Sequence, residues 1–336
     1  MSDKKELILH IGYPKTGTTT IQIFCKENMS KLKELGYLYP ESCRQLFGHH
    51  ILAKYYYKLK GDVKWIKNVE KHKAYSDLKH EINKSRTNKV ILSSEVFIQA
   101  QPDLGLKEDL SLYFPDWNVK IIAFLRRQDK LLESLCNQLR KTGNYNESPE
   151  SFLEQRYKDY DYLKIMNVWK EYFGLENVKI VPFEKDQWMN SSLEHEFLRC
   201  IGINSTSLFK YPKVTNSKLS QDCLDFLSLT YPDSNRIGGH FRTLIELLEK
   251  YSALNPDPPE YMKIFSPDTR LKVYNYYKES NSKVAKKYLN REDGTLYYET
   301  PPDAYEIWEP YPGISNISLV KMQRYLLDRL IFDKIL

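Results

Sequence analysis

The sequence predicts an α/β fold of three layers: a parallel, doubly wound sheet between helices, with a helical C-terminal portion. Three observations predict it. Apolar runs with β-branched residues stand at Leu7–Ile11, Val90–Leu92, Val119–Leu125 and Val178–Val181, short and nearly continuous, as strands buried on both faces are. Segments of helical pattern separate them, and connections that long are crossovers between parallel strands. After about Lys210 no strong strand run follows, and helical pattern alone remains. The expected organisation is a core over 1–210 and a helical portion over 211–336, in one continuous domain.

Each element has its own signal. The run Leu7–Ile11 is followed by a tight turn and a helix from about Thr18 to Leu35. Ile21, Phe24, Cys25, Leu32 and Leu35 mark its apolar face, and Gly36 stands where a C-terminal cap belongs. A charged helical stretch covers Val63–Arg86. Helices follow at about Asp129–Lys141, with Leu131, Leu132, Leu135 and Leu139 inward, and at Tyr160–Phe173. In the C-terminal portion Leu219–Thr230, Phe241–Tyr251, Asp268–Tyr288 and Ile317–Ile331 read as helices joined by Pro-rich turns.

Composition narrows the function classes. The 336 residues are 41% hydrophobic and 28% charged, with a mean hydropathy of −0.58, which is a globular balance. A net charge of +6 suits a small, highly charged anion, and it is too dispersed for a nucleic-acid surface. No run is long enough for a membrane helix, and the N-terminus MSDKKELILHIG lacks the apolar region and cleavage site of a signal peptide. Five scattered cysteines, with no metal spacing, read as reduced thiols of a cytoplasmic protein. The 26 tyrosines are numerous, and ordinary half-burial accounts for them as well as stacking on a base or sugar does.

The most informative segment is LILHIGYPKTGTTTIQ, residues 7–22, which reads strand, tight loop, helix. Free N–H groups at a helix start, with the positive end of the helix dipole, make an anion cradle. Thr18, Thr19, Thr20 and Lys15 gather at this one. Gly12 and Gly17 have the separation of the two glycines in the nucleotide-triphosphate loop GxxxxGK(S/T), but Thr18 stands where that loop has its lysine. Lys15 lies inside the loop instead and cannot run along the β- and γ-phosphates in the usual way. No Asp stands at a strand end to hold Mg²⁺, and Glu95 is the one acidic residue near such a place. Taken as a lone feature, Gly-Thr-Thr caps a helix.

The segment YPKTGTTTIQ resembles the 5′-phosphosulfate loop of sulfotransferases that use 3′-phosphoadenosine 5′-phosphosulfate (PAPS), whose signature is Pro-Lys-Ser/Thr-Gly-Thr-Thr after the first strand. The resemblance implies a fold of the P-loop NTPase-like type, PAPS as co-substrate and adenosine 3′,5′-bisphosphate as product, with no metal. It implies a donor site at Pro14, Lys15, Thr16, Gly17, Thr18, Thr19 and Thr20. That family also carries an Arg at the end of a central strand, and a Ser eight residues on, for the donor's 3′-phosphate. Here IIAFLRRQDKLLESLCNQ offers Arg126 and Ser134 at that spacing. The residues are coherent in themselves. Arg126 ends an apolar strand, Asp129 is placed to cap the next helix, and Ser134 shares a helix face with Lys130 and Gln138, opposite the leucines. A guanidinium and a hydroxyl suit one phosphate. Arg127 takes the role if the strand ends one residue later.

Sulfuryl transfer needs a base for the acceptor proton. His49 and His50, in LFGHHILAKYYY, stand at a helix start, and histidine is suited to proton abstraction near neutral pH. Glu95, in VILSSEVF, follows a strand at its carboxyl end, where ligands of parallel sheets collect. The resembled family has its base, a His or a Glu, in one of these two regions. Glu184, in VPFEKD, reads as structural. The segments VKIVPFEKDQW, FLRCIGI and SPDTRLKVYNYYKESNSKVAKKYL resemble later parts of bacterial members. No Arg-Lys-Gly loop of the cytosolic steroid and phenol enzymes is present. The resemblance therefore implies a bacterial or carbohydrate-type sulfotransferase acting on a hydroxyl, less readily an amine, of a sugar or polysaccharide in the cytoplasm. The alternatives are a P-loop kinase using ATP and Mg²⁺, and an inactive nucleotide-binding module.

Overall fold

A computed structural model of the protein describes residues 4–56, 71–99, 105–145, 147–204, 207–212, 218–231 and 239–332. Strand β1 (Glu6–His10) leads through a loop into α1 (Thr18–Glu27) and α2 (Met29–Glu34). Next come β2 (Tyr37–Leu38), α3 (His50–Lys54), α4 (Lys71–Ser85), β3 (Lys89–Ser93), a 3-10 turn at Glu95–Gln99, α5 (Leu106–Tyr113) and β4 (Asn118–Leu125). Helices α6 (Gln128–Thr142), α7 (Pro149–Arg156) and α8 (Tyr162–Phe173) precede β5 (Val178–Pro182). Then follow α9 (Leu193–Cys200), α10 (Gln221–Thr230), α11 (Gly239–Leu254), α12 (Pro267–Leu289) and α13 (Asn316–Phe332).

The five strands form one sheet in the order β2-β3-β1-β4-β5, and every neighbouring pair is parallel. Strand β1 is central. The chain fills one side of it with β2 and β3, then crosses to β4 and β5. Right-handed crossovers to opposite sides send helices to opposite faces, which is the doubly wound α/β architecture. The carboxyl ends of β3, β1 and β4 are neighbours at the point where the direction of winding reverses. That is where such sheets collect ligands.

The chain divides into two compact units, each discontinuous in sequence. The first comprises Met1–Arg127, Asp161–Val214 and Lys278–Glu299 and holds the sheet. Its core packs Ile8, Ile91, Ile122, Phe124 and Val181 of the sheet against Ile21, Phe24 and Cys25 of α1 and Phe197 and Leu198 of α9. Each of the larger side chains contributes roughly 1.5–3 kcal/mol by leaving water. The second unit comprises Gln128–Tyr160, Thr215–Tyr277 and Thr300–Leu336, and its described residues are helical or irregular. Two apolar clusters hold it, one around Leu224, Leu248 and Met322, the other around Leu132, Phe152, Phe265 and Tyr277. Arg140 donates to Asp225 at 3.0 Å, although burial still raises the pKa of that carboxyl. A single boundary at 210 does not anticipate these interleaved segments.

The four predicted strands all form. The short β2 lacks a readable signal because it is two residues long. The single helix expected from Thr18 to Leu35 is two, broken at Asn28. Its buried side-chain amide donates to the Phe24 carbonyl one turn back and to the Lys210 carbonyl, both at 2.8 Å. Its Oδ1 accepts the Lys210 N–H at 2.8 Å. A side chain that competes for backbone groups in this way ends the first helix and begins the second. Gly36 does stand in the left-handed region, φ +84°, just past the C-cap of α2. Asp129 is not a cap: α6 starts at Gln128, and the Asp129 carboxylate is buried within the first turn, 4.0 Å from the Arg270 guanidinium. The part of the predicted Val63–Arg86 helix over residues 63–70 lies outside the described residues.

Candidate active site

The loop between β1 and α1 is held by its own residues. Gly12 and Gly17 take φ values of +58° and +71°, and Lys15 between them takes +65°. A side chain at Gly12 would meet Thr18 Cγ2 at 2.5 Å, and one at Gly17 would meet Leu193 Cδ2 at 2.2 Å. Both positions therefore require glycine for conformation and for space. Lys15 has no such freedom. A left-handed lysine costs of order 1 kcal/mol or more and persists only where its surroundings impose it.

The imposing contacts are visible. Thr16 is fully buried, and its Oγ1 accepts the Tyr13 N–H at 3.1 Å and donates to the Tyr13 carbonyl at 2.6 Å. Its hydroxyl thus braces the loop, so Thr16 offers an anion its backbone and not its side chain. Arg126, at the end of β4, donates from Nη1 to the Lys15 carbonyl at 3.0 Å and lies over the Phe183 ring. Tyr162 of α8 donates in turn to the Arg126 carbonyl at 2.5 Å, and its ring packs edge-on against Tyr13. The end of β4 and the loop after β1 are thereby fixed to each other. Gly17 is the N-cap of α1 with no side-chain cap, so the N–H groups of Thr18, Thr19 and Thr20 open the helix without intrahelical partners. Thr18 is buried, Thr19 exposed and Thr20 half-buried; Pro14 and Lys15 are half-buried.

Arg126 and Arg127 differ in setting. Arg126 is half-buried, while Arg127 is buried and donates to the Glu299 carbonyl at 3.3 Å, as a structural arginine does. Ser134 is half-buried on α6 in the second unit. Glu184 is buried and accepts from the backbone N–H groups of Tyr298 and Glu299 and from the Gln187 amide. These contacts make it an anchor for the segment it touches.

The two histidines separate clearly. His49 is fully buried. Its Nδ1 accepts the Ser93 N–H at 3.1 Å, and its Nε2 donates to the Pro40 carbonyl at 3.0 Å, which fixes a neutral tautomer with both nitrogens engaged. Burial lowers its pKa to about 3. His49 is therefore a post that docks the start of α3 on the end of β3, and its ring has no nitrogen left for an acceptor proton.

His50 is only partly buried. Its Nδ1 pairs with Ser94 Oγ at 2.8 Å and lies 3.9 Å from Glu95 Oε2. Burial lowers its pKa, the Glu95 charge acts to raise it, and Lys54 one turn along α3 acts to lower it. The pKa of Lys54 is itself lowered to about 8, by burial first, against the opposing charge of Glu95. Glu95 accepts from the Gln22 amide of α1 at 3.0 Å. The structure thus joins His50 and Glu95, which the sequence offered as alternatives. It adds Ser94 and Gln22, which sequence reading missed. Ser94 stands beside Glu95 in VILSSE, and Gln22 lies one helical turn after Thr18; both signals are visible only once the partner is known.

A further buried group, His10 at the end of β1, pairs through Nδ1 with Ser93 Oγ at 2.8 Å. Its Nε2 has no hydrogen-bond partner among the described residues, and burial lowers its pKa to about 3. Ser93 is thus gripped by His10 through its hydroxyl and by His49 through its backbone.

No protein-family model matches the chain. Over 232 residues the chain is 25% identical to an uncharacterized protein of Archaeoglobus fulgidus, an alignment covering 66% of this chain and 60% of that protein. The chain therefore spans less than two thirds of that relative's length. Among solved structures it is similar to the crystal structure of a sulfotransferase from Alicyclobacillus acidocaldarius, with 17% identity and a TM-score of 0.42, covering 72% of this chain and 96% of that one. Among the described residues no helix is long and apolar enough to cross a membrane.

Proposed function

We propose that this chain is a sulfotransferase that moves the sulfuryl group of PAPS to a hydroxyl of an acceptor, with a carbohydrate as the acceptor class. One observation carries the reading: a phosphate-type loop with its lysine at Lys15 is tied through Arg126 to the end of one flanking strand, and a His50–Glu95 pair stands just past the end of the other. In this reading the N–H groups opening α1, with the Thr18 and Thr19 hydroxyls, receive the 5′-phosphosulfate. Arg126 serves the 3′-phosphate. The fit rests on the loop's own shape: left-handed backbone at Gly12, Lys15 and Gly17, and a helix start with no side-chain cap.

The reaction is a displacement at sulfur. The acceptor O–S bond forms as the bond from sulfur to the 5′-phosphate oxygen breaks, and the acceptor proton leaves. Lys15 neutralises charge moving onto the leaving phosphate. His50 holds its Nδ1 proton toward Ser94 Oγ and takes the acceptor proton on Nε2, and the Glu95 carboxylate offsets the resulting imidazolium. The carbohydrate part rests on the resemblance of the sequence to bacterial members, the tyrosine content and the basic balance.

The test is a labelled-donor assay against sugar polymers and small phenols. Lys15→Ala is expected to lower turnover ~10²-fold or more, as loss of a transition-state contact does. His50→Ala should lower it ~10²–10⁴-fold while product-nucleotide binding persists. Full turnover in both variants would overturn the assignment.

A further inference from the structure

We propose that Gln22 is a positioning residue: its buried amide fixes the Glu95 carboxylate beside His50, so that the helix carrying the anion loop also sets the geometry of the proton-accepting pair. What that positioning serves rests on the sulfotransferase reading. The positioning itself rests on geometry alone.

Gln22 is 2% exposed, on the face of α1 that also carries the buried Thr18 one turn earlier. Its Nε2 donates to Glu95 Oε2 at 3.0 Å, and the same oxygen lies 3.9 Å from His50 Nδ1. The amide is closed in from behind. A Cβ on Gly48 would meet its Cδ, Nε2 and Oε1 at 2.8–2.9 Å. Gly48 belongs to the turn that bridges back to Gln45, just before His49 and His50. The carboxamide is therefore held between the Gly48 backbone and the Glu95 carboxylate, with little space for another rotamer.

An ordinary core position one turn into a helix holds an apolar side chain, since burying an amide costs free energy unless it is bonded. Here the bond goes to a carboxylate that is itself only partly buried. A free glutamate in that setting has several rotamers. The amide selects the one that places Oε2 near His50. Among the described residues the charged groups facing His50 are Glu95, just past the end of β3, and Lys54 on its own helix; the neighbouring His49 is neutral. Of these, Glu95 alone favours the imidazolium, so the orientation of its carboxylate governs how readily His50 holds a proton.

The experiment follows the imidazole Cε1–H signal of His50 by NMR against pH in the full chain, identified by its loss in His50→Gln. In Gln22→Met, close in volume and without the donor, the midpoint of His50 is expected to fall by about half a pH unit or more, toward that of Glu95→Gln. Gln22→Asn, too short to reach Glu95, should show the same fall and covers the case in which the Met variant does not fold. A wild-type midpoint in the Gln22 variants, with a fall in Glu95→Gln, would overturn the proposal. So would an unchanged midpoint in Glu95→Gln.

The labelled-donor assay separates this from the functional reading. Gln22→Met should lower kcat ~10-fold while the KM for the donor stays within about two-fold, the split expected of a group acting only when the proton moves. A rise in donor KM with kcat intact would mark Gln22 as support for the loop and overturn the proposal. Absence of sulfuryl transfer in the wild type would sink the functional reading, and the NMR titration would still decide the role of Gln22.

Discussion

Lys15 and the pair His49–His50 show how much a single residue's setting adds to its identity. Adjacent histidines are equivalent in sequence, and only the ring contacts tell them apart. Both nitrogens of His49 meet backbone groups, whereas His50 meets Ser94 and Glu95. Lys15 was legible because its displacement from position 18 is a departure from a known loop. Its left-handed backbone was not, since no residue-type rule predicts a lysine at φ +65°. The buried histidines yield a prediction at this scale. His10 and His49 have folded pKa values of about 3, below the usual 6.5, and His50 is shifted in the same direction. At these histidines the unfolded state binds more protons than the folded one between pH 6.5 and 3, so the stability they contribute is complete above 6.5 and falls as pH drops. Each fully buried histidine contributes a slope of up to ~1.4 kcal/mol per pH unit. Urea unfolding of the protein at pH 7, 6 and 5 should show this loss, and His49→Gln should flatten it. A level profile from pH 6.5 to 5 would contradict the burial of both rings.

At the scale of elements, the strands were legible and the breaks between helices were not. A buried parallel strand announces itself by a continuous apolar run, as Leu7–Ile11 does. A helix break set by tertiary contact leaves no such mark. The apolar spacing from Ile21 to Leu35 runs straight through Asn28, and the break depends on Lys210, far along the chain. Asn28→Leu, near in volume, should therefore destabilise the protein by roughly 2 kcal/mol or more, because it leaves the Lys210 N–H and carbonyl without their partner. The urea midpoint measures it. An unchanged midpoint would mean that the break at residue 28 is fixed by something other than this side chain. Helix α6 gives the converse case: its span was legible, but the role of Asp129 was not, because burial against Arg270 is a tertiary fact.

For the whole molecule, the sheet order explains why residues scattered over a hundred positions of sequence meet. Lys15 follows β1, Glu95 follows β3 and Arg126 ends β4, and β1 lies between the other two. That convergence follows from a parallel sheet whose winding reverses at β1, and the strand pattern in the sequence already implied such a sheet. The interleaving of the two units was not legible, because composition changes little at residues 128, 161, 215, 278 and 300. The modest charge of +6 now has a local meaning: Lys15 on the loop after β1 and Arg126 at the end of the neighbouring β4 are joined through the Lys15 carbonyl. The central claim is that this loop takes a nucleotide bearing a 3′-phosphate and a 5′-phosphosulfate, and not a triphosphate with its metal. Isothermal titration of the full chain tests it most directly. The account predicts saturable one-to-one binding of adenosine 3′,5′-bisphosphate with EDTA present, lost or weakened in Arg126→Ala. Tight binding of ATP with Mg²⁺, and none of the bisphosphate, would contradict it.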